Sequence, residues 1–128
     1  MPTLDANVIL RWLLDDVPAQ TVAVDHLFAE ATNLVVPNVA LIEVVFVLER
    51  VMKIPRPAVV EGVRALMGRA NMKIDRALWT EALIHYDRLP KLSIADIFLA
   101  LQAEARGVAP LLTFDKKLAS QMAPAKLL

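Results

Sequence analysis

Short apolar runs alternate along the chain with longer segments whose apolar residues recur at helical spacing. Each helical segment begins near a capping residue and ends at a charged, proline or glycine position. Helices are predicted over residues 8–14, 19–31, 38–52, 57–70, 76–88, 94–106 and 115–122, with Asn7, Asn38, Asp75 and Ser93 as N-caps and Gly107 as a C-terminal cap. Extended segments are predicted up to Leu4 and over residues 33–37, 72–74, 110–114 and 125–128.

This order of elements predicts the fold class. Strands that are separated by helices pair in parallel, because parallel neighbours need long crossovers, so an α/β fold with a central parallel sheet and helices on both faces is expected. A chain of 128 residues is one domain, predicted to span residues 1–128. In such sheets ligands bind beyond the carboxyl ends of the strands.

Four carboxylates stand in apolar surroundings, where a solvated surface charge is not expected. They are Asp5 after the first apolar run, Glu43 in the most apolar helix, Asp96 before Ile97, and Asp115 after the last long strand. Four anions in one place repel one another unless they are protonated or neutralised, and hard oxygen ligands select Mg²⁺ or Mn²⁺. The pattern predicts a metal-dependent phosphodiesterase site.

Three of these acids also have ordinary structural explanations. Ser93 and Asp96 fit a capping box, while Asp5 and Asp115 fit turns or N-caps. Glu43 is the exception, because a helix that is apolar on every side is normally buried, and a buried carboxylate needs a partner. Its alternative is a salt bridge with an arginine. A shared cation explains all four acids together.

Composition narrows the classes of partner. Lysine plus arginine equals aspartate plus glutamate at 14 each, so nucleic acid must be bound locally, and Lys116 and Lys117 beside Asp115 are the candidates for phosphate contact. There is no cysteine, which excludes thiolate sites, and neither histidine has a ligand-spaced partner. The apolar share of 57%, together with the apolar faces over residues 44–48 and 59–67, predicts a protein partner. Charges interrupt every apolar stretch and the start is unlike a signal peptide, so a cytoplasmic location is expected.

Four motifs in this order resemble a PIN domain. They are the segment 4–10 with Asp5 and Asn7, Glu43 in its apolar helix, the segment 96–100, and the segment 112–118 with Thr113 and Asp115. In size the chain is similar to the VapC-type toxin ribonucleases of toxin–antitoxin pairs. The resemblance implies a three-layer sandwich, an Mg²⁺- or Mn²⁺-dependent endoribonuclease, a homodimer and inhibition by a small antitoxin. It also implies that Asp5, Glu43, Asp96 and Asp115 bind the metal, with Asn7 and Thr113 in support.

Two other functions, a phosphoacceptor receiver domain and a binding module that does not cut RNA, are alternatives to a nuclease. A phosphoacceptor receiver domain also has a doubly wound sheet with acids at strand ends, but it needs a central aspartate after the third strand, where Asp75 fits better as a helix cap. A PIN-like module that binds RNA or protein without cutting agrees with the neutral charge. Such a module has no reason, however, to retain four mutually repelling acids.

Overall fold

Seven α-helices and four short strands alternate along residues 1–128, all of which the computed structural model describes. The helices are α1 Ala6–Leu14, α2 Pro18–Glu30, α3 Asn38–Phe46, α4 Arg56–Met67, α5 Arg76–Arg88, α6 Ile94–Ala105 and α7 Lys116–Gln121, and a π-helical turn follows α3 over Val47–Val51. The strands are β1 Leu34–Val35, β2 Met72–Lys73, β3 Leu111–Thr113 and β4 Ala125–Leu127. The chain divides into unit 1, Met1–Ile74, and unit 2, Asp75–Leu128.

Unit 1 is built around a short parallel ladder. In it β1 pairs with β2, and the chain start joins the other side of β1 through a parallel bridge between Thr3 and Val35. The Leu4 N–H donates to the Val35 carbonyl at 2.8 Å, and the Val35 N–H donates to the Pro2 carbonyl at 2.8 Å. Helix α1 packs on α2 and α3. The fully buried residues of this core include Ile9, Leu34, Leu41, Val44, Val45, Val63, Leu66 and Met72.

Unit 2 combines a helix pair with a second parallel ladder. Helices α5 and α6 pack together, and the Trp79 and Phe98 rings meet with centroids 4.8 Å apart. Strand β3 pairs in parallel with β4, and α6 and α7 both pack against β3. Tyr86, Leu83 and Ile97 complete the buried core. This core fixes the helix that carries Asp96.

Local signals predict several elements closely. Helix α5 has the predicted bounds, and the Asp75 carboxylate caps it by accepting from the Leu78 N–H at 3.3 Å. Gly107 adopts φ 68°, the left-handed conformation expected after a helix C-terminus. The predicted parallel pairing is confirmed in both ladders.

Other elements differ from expectation. Asp5 rather than Asn7 is the N-cap of α1, and Pro37 rather than Asn38 precedes α3. The predicted helix over 38–52 changes to π-helical geometry after Phe46. Only two or three residues of each predicted strand pair, and the pairs form two separate two-stranded sheets, β1-β2 and β3-β4.

Candidate functional site

Asp5 stands where the first extended segment passes into α1. The Thr3–Val35 bridge ends two residues earlier, and the Asp5 backbone carbonyl accepts from the Val8 N–H at 3.1 Å. The Asp5 side chain makes no capping hydrogen bond to the helix, and it is exposed. Since the helix does not use this carboxylate, both oxygens are available to a ligand.

Glu43 is exposed, which corrects the expectation that it is buried in an all-apolar helix. Helix α3 buries Ala40, Leu41, Val44 and Val45, whereas the opposite side carries Val39, Glu43 and Phe46 at spacings of four and three residues. The salt bridge to an arginine is also wrong, because Glu43 takes part in neither of the two ion pairs, Arg11–Asp16 and Arg56–Glu49. Its carboxylate is free and accessible.

The parallel bridge sets the starts of α1 and α3 at the same end of unit 1. The chain runs in the same direction through Thr3 and through Val35. Both segments therefore end at the same edge of the ladder, where α1 begins at Ala6 and α3 begins at Asn38. The two helices then pack against each other. Glu43 lies five residues into α3, a rise of about 7.5 Å from its first residue. Asp5 therefore directly follows a paired segment, whereas Glu43 lies further along α3.

Asp96 lies in the first turn of α6 and is half-buried. The Asp96 backbone N–H donates to the Ser93 hydroxyl at 3.2 Å, which is one half of the predicted capping box. The reciprocal bond, from the Ser93 N–H to the Asp96 carboxylate, is not formed. Ser93 thus fixes the backbone at this position while the carboxylate stays uncommitted.

Asp115 is the N-cap of α7, so its ordinary structural explanation is confirmed. Its Oδ1 accepts from the Lys117 N–H at 2.9 Å and from the Leu118 N–H at 3.2 Å. The Asp115 N–H in turn donates to the Thr113 hydroxyl at 2.9 Å, so Thr113 fixes the turn that carries the acid. Capping occupies Oδ1 alone, and a carboxylate has further lone pairs on Oδ2 for a ligand.

Two substitutions separate the cap of Asp115 from its charge. Asp115→Ala is expected to lower the free energy of unfolding by about 1 kcal/mol, because two helix N–H groups lose their acceptor. Asp115→Asn should leave stability almost unchanged, since asparagine caps as well as aspartate. Urea unfolding followed by circular dichroism measures both. Equal losses in the two variants would mean that the charge, and not the cap, stabilises α7.

The two acids of unit 2 are carried by elements that run in opposite directions. Helix α6 packs against β3 and is joined to it by only five residues, 106–110, so the two elements run in opposite directions. From Asp96 to Ala105 the helix advances about 13.5 Å. From Leu111 to Asp115 the chain returns about 13 Å. The helix and the returning chain therefore have nearly equal lengths, and Asp115 lies at the carboxyl end of β3.

The predicted supporting residues lie close to these acids in the chain. Asn7 is exposed on the first turn of α1, and it lines a cleft of about 270 Å³ together with Arg11 and Gln20. Lys116 and Lys117 are exposed directly after Asp115. Phe114, which the sequence predicts to end an apolar strand and which has no predicted role, is exposed as well.

Comparison with known families decides the identity of the fold. The PIN domain family model matches residues 3–122, which is nearly the whole chain and includes all four acids. The chain belongs to the PIN-domain family. No curated protein gives a significant match to it. The PIN domain is generally a nuclease module, and membership agrees with the α/β class and the parallel strands. It decides against the receiver-domain alternative.

PIN-domain nucleases typically use Mg²⁺ or Mn²⁺, and the donor chemistry of this PIN domain fits such a cation. Asp5, Glu43 and Asp96 form no ion pair, and Asp115 keeps one carboxylate oxygen outside its cap. Two of the four acids belong to each unit. No group of three or more acidic or histidine side chains is arranged so that it could hold a metal ion. A site that uses all four acids is therefore a proposal. No helix of the chain has the length and apolar character that a membrane crossing requires.

Proposed function

We propose that this PIN domain is an endoribonuclease in which Asp5, Glu43, Asp96 and Asp115 together hold Mg²⁺ or Mn²⁺. The observation that carries the proposal is that Asp5 and Asp115 directly follow segments that pair in parallel, and that none of the four carboxylates has an ion-pair partner. Membership in a family of nuclease modules supports the same reading.

The residues of the proposed site fall into groups with different roles. The four carboxylates bind the cation, which when present lowers the pKa of a coordinated water and offsets charge on the scissile phosphate. Ser93 and Thr113 hold the backbone of Asp96 and Asp115 in place through the hydrogen bonds at 3.2 and 2.9 Å. Lys116 and Lys117 contact the phosphates next to the cleaved bond, and Asn7 orients the substrate beside Asp5.

A cleavage assay on total RNA tests the activity. Purified protein is expected to cut RNA internally in Mg²⁺ or Mn²⁺ and to stop in EDTA, with the ends mapped by sequencing. RNA that is bound but left intact under every metal condition would contradict the proposal. That result would instead favour the alternative of a PIN-like module that binds RNA without cutting.

Thermal unfolding provides a measurement of the cation that does not depend on activity. A cation that binds only the folded chain stabilises it by about 2.7 kcal/mol at a hundred times its dissociation constant. Mg²⁺ should therefore raise the melting temperature of the wild type, and it should raise that of Glu43→Gln less. Glu61→Gln, which changes an exposed glutamate of α4 outside the site, is the matched control. Equal shifts in all three proteins would remove Glu43 from the metal site.

We further propose that the chain forms a homodimer and is the toxin of a toxin–antitoxin pair, in the cytoplasm, where its RNA substrate is found. Most of the two apolar runs expected to take part is not available. The buried residues are Val44, Val45 and Leu48 in the first run and Val59, Val60, Val63 and Leu66 in the second. The exposed side of α3 and the following turn supports a protein partner instead, with Val39, Phe46, Val51 and Met52 open to solvent. The antitoxin is implied by the likeness to VapC-type ribonucleases.

Two measurements test these partners. Light scattering at micromolar concentration should give twice the mass of one chain, and a monomer would contradict the dimer. Co-expression with the small open reading frame adjacent to the gene should yield a complex in which RNA cleavage is suppressed. Failure of the two proteins to copurify would contradict the antitoxin assignment and leave the nuclease proposal intact.

A further inference from the structure

Six of the seven aromatic side chains are either buried or largely exposed, and Trp12 is half-buried. Phe28, Trp79, Tyr86 and Phe98 are at most 2% exposed, as expected for the core. Phe46 is 54% exposed and Phe114 is 79% exposed. Leaving a large apolar ring in water is unfavourable, so an exposed aromatic next to polar groups suggests a binding surface.

Phe114 differs from Phe46 in its charged surroundings. Exposure alternates from Leu111 to Asp115, with Leu112 and Phe114 open and Thr113 and Asp115 half-buried. Lys116 and Lys117 follow within three residues, and Lys126 of β4 pairs in register with Leu112. Lys116, Lys117 and Lys126 are all exposed, so positively charged side chains adjoin the ring, although the whole chain is neutral. Such a surface complements the phosphates of a nucleic acid.

The ring is also held on a rigid turn. On its N-terminal side, the Thr113 carbonyl accepts from the Leu128 N–H at 2.9 Å, which extends the β3–β4 ladder. On its C-terminal side, Asp115 bonds to the Thr113 hydroxyl and caps α7. Because both neighbours of Phe114 are fixed, the ring is presented to a ligand with little loss of backbone entropy.

We propose that Phe114 stacks on an unpaired base of single-stranded RNA while Lys116 and Lys117 contact the adjoining phosphates. The location deepens the proposed nuclease function and rests on it in part: Asp115 is the next residue, so the stacked base belongs to a nucleotide near the scissile bond. Duplex RNA keeps its bases stacked on one another, whereas a single strand offers a free face to an aromatic ring. The substrate class is therefore single-stranded RNA, read through its bases without a hydrogen-bond code.

Equilibrium binding in EDTA tests this role without cleavage. Fluorescence anisotropy would compare a labelled 12-nucleotide oligoadenylate with an abasic ribose-phosphate strand of the same length and charge. Phe114→Leu keeps an apolar side chain but removes the ring, and it is expected to weaken oligoadenylate binding by roughly five- to a hundredfold. Its affinity for the abasic strand should not change. Phe114→Trp should restore the preference for bases.

Two further variants serve as controls. Lys117→Ala should weaken both strands alike, since it removes only a phosphate contact, and Phe46→Leu should weaken neither. Equal binding of both strands by Phe114→Leu and wild type, or no measurable binding by wild type, would overturn the proposal. Loss of self-association in Phe114→Leu with unchanged RNA binding would assign the ring to a protein interface and overturn it too.

The two proposals fail in different ways. If Phe114→Leu loses base-dependent binding and the wild type shows no metal-dependent cleavage, then the stacking role of Phe114 stands and the nuclease proposal is wrong. If the wild type cleaves RNA, and Phe114→Leu has unchanged binding and unchanged kcat/KM, then the nuclease proposal stands and the stacking role of Phe114 is wrong.

Discussion

Asp96→Asn is expected to lower the rate of RNA cleavage by at least about three orders of magnitude while the fold is kept. Asparagine has the shape of aspartate but not its charge, so the metal loses an anionic ligand. The Ser93 hydroxyl accepts from the backbone of residue 96 and not from its side chain, so the helix start is unaffected. Asp5→Asn should behave in the same way, because the Asp5 carboxylate makes no bond to α1. Single-turnover cleavage of a defined RNA measures the loss.

Asp75→Asn is the matched control for both variants. Asp75 is also an N-cap aspartate, its Oδ1 accepts from the Leu78 N–H, and asparagine can replace it in that role. It lies outside the proposed site, so its cleavage rate should equal that of the wild type. If Asp5→Asn or Asp96→Asn kept an activity within tenfold of the wild type, that residue would not be a metal ligand.

Sequence predicts best what neighbouring residues determine. The bounds of α5 follow from the Asp75 cap and from the apolar spacing of its helix, and the turn after α6 follows from Gly107. Burial depends on distant residues, which explains the error at Glu43. Helix α3 is apolar all round, yet only one side of it faces the unit 1 core. The apolar face of α4 was misplaced for the same reason, since its valines meet that core.

The candidate site was predictable in part. The predicted strand ends put Asp5 and Asp115 directly after paired segments, as the structure has them, because both residues follow their strands closely in the sequence. The ordinary role of Asp115 as a cap was equally predictable, and both readings are compatible because capping uses one oxygen. The exposure of Phe114 was not predictable, since Leu111, Leu112 and Phe114 have the same apolar character in the sequence and differ only in their packing.

Trp79→Ala is expected to lower the free energy of unfolding by about 3–5 kcal/mol. Trp79 is fully buried between α5 and α6, and its ring lies 4.8 Å from that of Phe98. Removing it leaves a cavity that the two packed helices cannot fill by small shifts, so the loss exceeds the transfer energy of the ring. Domains are stable by only about 5–15 kcal/mol, so a large part of the stability is lost. Urea unfolding followed by circular dichroism measures the change.

Phe114→Ala is the control, since it removes another large ring from unit 2. Its side chain is 79% exposed, so truncation should change the free energy of unfolding by less than about 0.5 kcal/mol. The Trp79 variant should also lose cleavage at lower urea concentrations than wild type, because Asp96 is carried by the helix against which Trp79 packs. If Trp79→Ala were no more destabilising than Phe114→Ala, then α5 would not fix α6, and the position of Asp96 would need another explanation.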